Sequence, residues 1–489
     1  MSMVINTNTA SLIAQQAQSK TNASLEQAME RLSTGKRINS AADDAAGMAM
    51  ANRMESAVRG LTVAIRNAGD AQSLVSTAES AHSEVESMLQ RMREIAVQAA
   101  SDTNSASDRA NLNKEVTQLN AEIDRIASQT SWGGQKLLDD TFTSKSFQVG
   151  MKSGENVAIS IDGLKTSQLG AHTASSTAHL MEGTGIAGDD TRTSISIEIY
   201  GRDATETASF SAKASAKEVA EAVNAVSGTT GVSAEAKTHL HLSSFETGTA
   251  SFNLVGKGTS AISAAVTSTD VRALITAINA VAGATGITAS AYEGNNAQLL
   301  LTSETGDDIA INTYENTASV GSAISADAVN FAGTKLGSAE AITEGSDNAV
   351  IAVGQINFTA TSSFTLDDAG SATTGYNADA SSSEAYISGI SVTTKASAAS
   401  SLATIDGALE KLLDQRAYLG AISNRLDYTM SNLTEVKTNT DASKSRIEDA
   451  DFAVETSNLT KAQILSQAAT AMLAQANASK QSVLSLLQG

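Results

Sequence analysis

Both ends of the chain carry apolar residues at alternating steps of four and three, the spacing that keeps one face of a long helix apolar. Near the amino terminus this seam runs through Leu74, Ala78, Ala81, Val85, Met88, Met92, Ile95 and Ala99. Near the carboxyl terminus it runs through Leu465, Ala469, Met472, Ala476, Ser479, Val483 and Leu486, with Ser479 as one small polar exception. A narrow seam of this kind is covered by another helix in a stable fold. The sequence therefore predicts long helices at both termini that lie against other helices.

The stretch "LSTGKRINSAADDAAGMAMA", residues 32–51, predicts an abrupt joint between two of these helices. Gly35 supplies the left-handed backbone position that ends a helix. Ser40 and Asp43 have the spacing of a capping box, which would start the next helix. Ser105 and Asp108 give the same signal for a further helix. The joint would let two long helices meet at an adjustable angle.

The middle of the chain, residues 171–396, has a different texture, rich in Ser, Thr, Gly and Ala. Short alternating runs such as "SISIEIYG" and "QLLLTSETG" predict strands there. The segments "VNAVSGTTGV" and "INAVAGATGI" indicate two related helix-plus-strand units, at about 194–255 and 266–313, although a low-complexity coincidence is the alternative. Just before this region, alternation over 145–161 predicts a β-hairpin. The predicted fold is mainly α at the paired termini, with a β-hairpin and a central α+β, β-rich insert.

Composition excludes several classes of function. The formal net charge of −20 would repel nucleic acid and anionic membrane surfaces, so neither is an expected partner. The chain has no cysteine, which excludes a disulfide framework and thiolate metal sites. No apolar run has transmembrane length, and the first residues lack the pattern of a cleaved signal peptide. The protein is expected in the cytosol, or outside the cell by a route without signal cleavage.

Catalytic chemistry has little support in the sequence, and no catalytic, cofactor-binding or metal-ligating residue is predicted. The histidines do not form an H-E-x-x-H pattern. His239 and His241 fall on one face of a predicted strand, and we interpret them as exposed strand histidines rather than ligands. The carboxylates of Asp43, Asp44 and residues 448–451 stand beside helix starts, where capping explains them.

The terminal helices are predicted to be too weak to fold alone. Each large apolar side chain of the carboxyl-terminal seam contributes roughly 1.5–3 kcal/mol when fully buried, and such side chains are few. Ordering costs about 1.5 kcal/mol per residue. We therefore expect both tails to be loose in the monomer and to fold when many copies pack together.

Six segments near the two ends carry a resemblance to a known family: "NTNTASLIAQ", "SLEQAMERLSTGKRINSAADDAAGMAMANRM", "QRMREIAVQAASDTNSASDRANLNKEVTQLNAEIDRI", "GGQKLL", "SRIEDADFAVETSNLTKAQILSQAATAMLAQAN" and "VLSLLQG". In these segments the sequence resembles bacterial flagellin, the subunit of the flagellar filament. The resemblance implies a terminal coiled-coil domain (1–42 and 450–489), a helical rod with the hairpin (43–170 and 397–449) and an outward-facing variable insert (171–396). It also implies export unfolded through the flagellar type III apparatus and assembly outside the cell.

The resemblance further implies partners and contact residues. The partners are other copies of the chain, an export chaperone, the filament cap and hook-associated proteins. Subunit packing is assigned to Leu12, Leu25, Leu32, Leu465, Met472, Val483 and Leu486. By position, Arg91, Ile95 and Glu115 are expected to pack the rod and to contact a vertebrate Toll-like receptor. The leucine-rich end, with Val483 and Leu486, matches the part of flagellins that inflammasome receptors sense.

Two alternatives stay open at this stage. The hook-filament junction protein shares the terminal helices, although its amino-terminal rod usually matches flagellin less closely than this sequence does. A filament-displayed adhesin is the other reading, because the Ser- and Thr-rich insert would suit O-linked sugars or host glycans.

Overall fold

A computed structural model of the chain describes residues 7–101, 103–176, 179–184, 192, 196–202, 204–317, 322–331, 333–344, 348–367 and 380–488. The helices are α1 (Thr9–Thr34), α2 (Ala45–Ala100), α3 (Ala106–Gln129), α4 (Ala216–Ala225), α5 (Ser227–Thr230), α6 (Arg272–Ala280), α7 (Ala282–Thr285), α8 (Lys395–Glu448) and α9 (Phe452–Gln488), with a 3₁₀ turn at Ile387–Gly389.

The strands are β1 (Ser131–Trp132), β2 (Gln135–Lys136), β3 (Lys145–Gln148), β4 (Asn156–Ile159), β5 (Gly170–Ser175), β6 (His179–Thr184), β7 (Ser196–Tyr200), β8 (Thr205–Ser209), β9 (Val232–Ser243), β10 (Gly248–Val255), β11 (Thr259–Val266), β12 (Thr288–Tyr292), β13 (Asn295–Ser303), β14 (Ile309–Asn316), β15 (Ala323–Val329), β16 (Lys335–Thr343), β17 (Asn348–Val353), β18 (Gln355–Ala360), β19 (Thr365–Asp367), β20 (Ala380–Ser381) and β21 (Ser383–Tyr386). The predicted plan of long terminal helices around a β-rich insert is confirmed.

The chain divides into two compact units. The first consists of Met1–Val75, Ser144–Ile159 and Ala421–Gly489, and the second of Ser76–Thr143 and Ser160–Gly420. In the first unit α1 packs on α9, and the predicted hairpin is present as β3 paired with β4, from Lys145 opposite Ile159 to Gln148 opposite Asn156. Among the described residues, no helix combines the length and the apolar character that crossing a bilayer requires.

The second unit contains the predicted helix start at Ser105. Its hydroxyl accepts a hydrogen bond from the Asp108 backbone N–H, and the Asp108 carboxylate accepts one from the Ser105 backbone N–H, so the capping box is confirmed. The α2 seam is buried there as well: Val85, Met92 and Ile95 are fully buried. Periodicity alone therefore located this face correctly.

The insert belongs wholly to the second unit. Its strands form antiparallel sheets in the orders β11-β10-β14-β17-β6, β12-β13-β9-β18-β5-β21 and β20-β19-β7-β8, while β15 pairs with both β9 and β16. One apolar core gathers Leu274 and Ile278 of α6 with Tyr314, and another gathers Val219 and Val223 of α4 with Phe358. The two helices thus serve separate cores.

The two predicted helix-plus-strand units share one local device. The Asn224 side chain accepts a hydrogen bond from the Ala234 backbone N–H at 2.8 Å and donates to its carbonyl at 2.9 Å. Asn279 makes the same pair of bonds to Ala289, again at 2.8 and 2.9 Å. Each asparagine therefore ties the end of its helix to the strand that follows. This pair of bonds explains the asparagine that the two "NAV" segments share.

Candidate assembly surface

Helices α1 and α9 run antiparallel, as three polar contacts along their length demonstrate. Arg31 pairs with Glu455 at 3.2 Å near the carboxyl end of α1. Gln18 Nε2 donates to Ser466 Oγ at 3.1 Å in the middle. Asn8 Nδ2, at the start of α1, donates to the carbonyl of Ala476 at 3.3 Å.

The contact between the two helices is lined by small and polar residues together with four leucines. Along each helix, buried and half-buried positions recur at steps of three and four, which is the spacing of a coiled-coil seam. These inner-seam positions are Ser11, Ala14, Gln18, Thr21, Leu25, Ala28 and Leu32 on α1, and Glu455, Leu459, Ala462, Ser466, Ala469, Leu473 and Ala476 on α9. Small side chains let the two backbones approach closely, and α1 and α9 accordingly make one extensive contact.

The carboxyl-terminal seam predicted from the sequence overlaps only in part with the face that α9 turns to α1. Ala469 and Ala476 lie on the inner seam, but Leu465 and Met472 are exposed. The sequence of α9 contains two interleaved sets of positions with the same spacing, and the bulkier set was chosen. The side chains of Val483 and Leu486 lie outside the described residues.

Large apolar side chains remain uncovered on both helices and define what we call the outer stripe. Each is between 47% and 69% exposed. They are Leu12, Ile13 and Met29 on α1, and Phe452, Val454, Ile464, Leu465 and Met472 on α9. Clusters of exposed apolar side chains mark interaction surfaces, because water covers them poorly. Ile13, Phe452 and Ile464 were missed by sequence reasoning, because they do not lie on the heptad positions of Leu465 and Met472.

The joint predicted at Gly35 lies beside the joint between α8 and α9. Gly35 ends α1 with φ of 71°, in the left-handed region, and its N–H donates to the carbonyl of Arg31. Its own carbonyl accepts from the Ala450 N–H at 2.9 Å. Arg37 N–H donates to the Glu448 carbonyl at 2.6 Å, and Lys36 forms an ion pair with the Glu448 side chain. The segment between α1 and α2 is thus bonded to the segment between α8 and α9.

The predicted capping box at Ser40 is a correction within this joint. Helix α2 begins at Ala45, and its cap is Asp44, whose carboxylate accepts from the Gly47 N–H at 2.9 Å. Ser40 and Asp43 form the preceding turn instead, with the Ser40 N–H and hydroxyl both donating to Asp43. These bonds hold the pKa of the Asp43 carboxyl below its usual value.

The residues carried over for receptor contact differ in exposure. Arg91 is exposed and pairs with Glu94 at 2.8 Å and with Glu115 of α3 at 2.9 Å. These carboxylates raise the pKa of Arg91. Ile95, one turn further along α2, is fully buried. Arg91 and Glu115 therefore form a surface pair that bridges two helices, above an apolar contact to which Ile95 belongs.

The interpretation of His239 and His241 as exposed residues is wrong. His241 is fully buried, with Nδ1 3.0 Å from Asp327 Oδ2 and Nε2 3.2 Å from Gln298 Oε1. His239 is half-buried, and its Nδ1 lies 3.0 Å from Thr302 Oγ1. Burial lowers the pKa of His239 to about 4 and lowers that of His241 as well. Strand β15 covers this part of β9, a long-range pairing that the local pattern did not reveal.

Family models and curated relatives both match this chain. The model for the bacterial flagellin N-terminal helical region matches residues 5–143, and that for the flagellin C-terminal helical region matches 402–487. B-type flagellin of Pseudomonas aeruginosa is 35% identical over 500 residues, covering 100% of both chains. The chain belongs to the bacterial flagellin family. It is a structural subunit of the flagellar filament.

Other comparisons extend this result. A flagellin of Salmonella typhimurium is also 35% identical and is covered in full, as is this chain. The flagellin hook IN motif matches 196–247 and 251–305, the two stretches that hold the asparagine ties. A solved structure of FliC from Burkholderia pseudomallei has 19% identity and a TM-score of 0.29, covering 72% of this chain and 99% of that chain. The full-length flagellin relatives favour a filament subunit over the junction protein that the sequence had left open.

Proposed function

We propose that this flagellin polymerises by burying the outer stripe of α1 and α9 against neighbouring copies. The observation that carries the proposal is the difference between the inner seam and the outer stripe of these two helices. Small and polar residues with four leucines close the contact within one chain, while eight further large apolar side chains of the same helices remain exposed. A monomer gains nothing from such residues, whereas a polymer recovers their transfer free energy.

The subunit-packing residues expected from the sequence have different places in this proposal. Leu12, Leu465 and Met472 belong to the outer stripe and would contact other copies directly. Leu25 and Leu32 are half-buried on the inner seam and would support the pair within one chain. Val483 and Leu486 would continue the packing toward the end of α9. The proposed division into coiled coil (1–42 and 450–489), rod (43–170 and 397–449) and insert (171–396) follows the same logic, since only the first part carries the outer stripe.

Export and location are part of the proposal. A chain whose tails fold only in the polymer is suited to leaving the cell unfolded through the flagellar type III apparatus, without signal cleavage, and to assembling outside it. The expected helpers are an export chaperone, the filament cap and hook-associated proteins. The non-enzymatic role expected from the sequence is supported by flagellins being structural proteins.

Recognition by host receptors is proposed for the same chain. The exposed Arg91–Glu115 pair offers a Toll-like receptor a charged surface, while the buried Ile95 would hold the underlying helices in place. Inflammasome receptors would read the leucine-rich end. Binding of a soluble receptor ectodomain to the Arg91→Ala chain, compared with binding to Arg93→Ala, would test the first of these contacts.

The decisive experiment is electron microscopy after dissociation and seeded reassociation of the purified chain. The full-length chain is compared with one that ends at Thr456 and lacks almost all of α9. Long filaments from the full chain alone would support the proposal. Failure of the full chain under seeded conditions would refute filament assembly, and filaments from both chains would refute the role of the tails.

A further inference from the structure

The inner seam contains one polar cluster that does not resemble the rest of the α1–α9 contact. Gln18 Nε2 lies 3.1 Å from both Ser466 Oγ and Asn22 Oδ1. Thr470 Oγ1 lies 3.4 Å from Gln18 Oε1, so both ends of the amide have a partner. Ser466 Oγ also lies 3.4 Å from Asn22 Oδ1. The Gln18 cluster is thus a closed set of hydrogen bonds between the two helices.

Away from the joint at Gly35 and the Arg31–Glu455 ion pair, most of the remaining seam does not define how far one helix slides along the other. Alanine recurs at heptad spacing on α9, as Ala462, Ala469 and Ala476, and two heptads apart on α1, as Ala14 and Ala28. A slide of seven residues would therefore bring alanine again opposite small residues at little cost in packing. In coiled coils with such repetitive seams, a polar residue at a core position is the feature that specifies register.

We propose that Gln18, held by Ser466 and Thr470, fixes the register of α1 against α9. A slide of one heptad in either direction would replace Ser466 opposite Gln18 by Leu459 or Leu473. The Gln18 amide would then lose its partners across the pair, and the leucine in their place would face a polar group. The slipped registers are therefore disfavoured by this cluster in the middle of the pair, and by the Gly35–Ala450 bond and the Arg31–Glu455 ion pair at its end.

Register matters because it sets the shape of the surface that meets other copies, so this inference rests on the proposed function. The outer stripe is formed by residues of both helices, and a heptad slide would move Ile464 and Leu465 by about 10 Å relative to Leu12. Gln18 is accordingly a positioning residue: it touches no neighbouring copy in this account, but it aligns the residues that do.

The test measures the distance between two spin labels by pulsed electron paramagnetic resonance in filaments. The chain has no cysteine, so labels attach only at introduced sites. Glu30→Cys on α1 and Gln475→Cys on α9 are both exposed. In the observed register they are offset by about 30 Å along the helix axis, and a heptad slide changes this offset by about 10 Å. Labelled chain is diluted with unlabelled wild-type chain so that spin pairs between subunits are rare.

The variant is Gln18→Leu, and the matched control is Gln16→Leu at an exposed position of the same helix. We expect one distance for the wild-type and control chains, and for Gln18→Leu a second population displaced by about 10 Å. A single wild-type distance in Gln18→Leu would overturn the inference. If wild-type chain forms no filaments, the proposed function fails instead, which keeps the two outcomes distinct.

If Gln18→Leu chains do not enter the filament, a second variant tests the inference. The exchange Gln18→Ser with Ser466→Gln restores an amide and a hydroxyl across the same pair of positions. We expect the exchanged chain to co-assemble with the wild-type distance, because the pairing rather than either residue sets the register. Exclusion of the exchanged chain, or a displaced distance in it, would overturn the inference.

Discussion

Replacing two residues of the outer stripe should weaken polymerisation without weakening the folded subunit. Leu465 and Met472 are one heptad apart on α9, and 48% and 64% of their surfaces are exposed. Full burial of such a side chain is worth roughly 1.5–3 kcal/mol. The exposed fractions leave about 2–3 kcal/mol for the pair to gain when a neighbour covers both. The double variant Leu465→Ser/Met472→Ser forfeits that gain in the filament.

The assay is the critical concentration for seeded growth, measured by sedimentation of filaments from remaining subunits. A loss of about 2–3 kcal/mol per subunit raises this concentration by roughly 30- to 150-fold, since each 1.4 kcal/mol is a factor of ten. The control is Leu336→Ser, which removes a side chain of similar exposure from β16 of the insert. We expect that control to polymerise like the wild type.

Two results would refute the reasoning. An unchanged critical concentration in the double variant would mean that neighbouring copies do not cover this part of α9. An equal rise in Leu336→Ser would mean that loss of any exposed leucine has the effect. A third explanation would be that the double variant is a less stable subunit. Thermal unfolding of the dissociated chains tests this, and the double variant should melt at the wild-type temperature.

Three further changes probe the rest of the subunit. Asn279→Ala breaks both bonds to Ala289 and should destabilise the insert by about 2–3 kcal/mol, which a lower urea midpoint would reveal and an unchanged one contradict. Gly35→Ala places a side chain on a left-handed backbone position and should cost about 1–2 kcal/mol of stability, which would lower the dissociation temperature of filaments. Gly228→Ala, at a position with ordinary φ and open space around it, should leave that temperature unchanged. The insert should lose stability as pH falls from about 6.5 to 4, because His239 binds a proton in the unfolded chain but, with its pKa lowered to about 4, not in the folded one. In thermal unfolding, His239→Gln should therefore lose less stability over this pH range than the wild type. An equal loss in both chains would contradict the prediction.

Sequence patterns located the elements whose signals are local. The α2 seam, the capping box at Ser105 and the hairpin at 145–159 each depend on residues a few positions apart. The left-handed cap at Gly35 is of the same kind. The order of strands in the insert is not local: β9 is flanked by β13, β15 and β18, which follow it by tens of residues. No periodicity within β9 distinguishes a histidine that faces water from one that faces β15.

The α9 seam raises a different question, which concerns energetics rather than distance along the chain. Heptad spacing states that a face must be covered, but it does not state by what. Hydrophobicity ranked Leu465 and Met472 above Ala462 and Ser466, so the first two were assigned to subunit packing and the inner seam was not identified. The contact within the chain is closed by small residues, four leucines and one polar cluster. In the proposed polymer, the exposed side chains of the outer stripe gain their transfer free energy only on assembly. A bulky seam beside a small one on the same helix is therefore itself a sign of self-assembly.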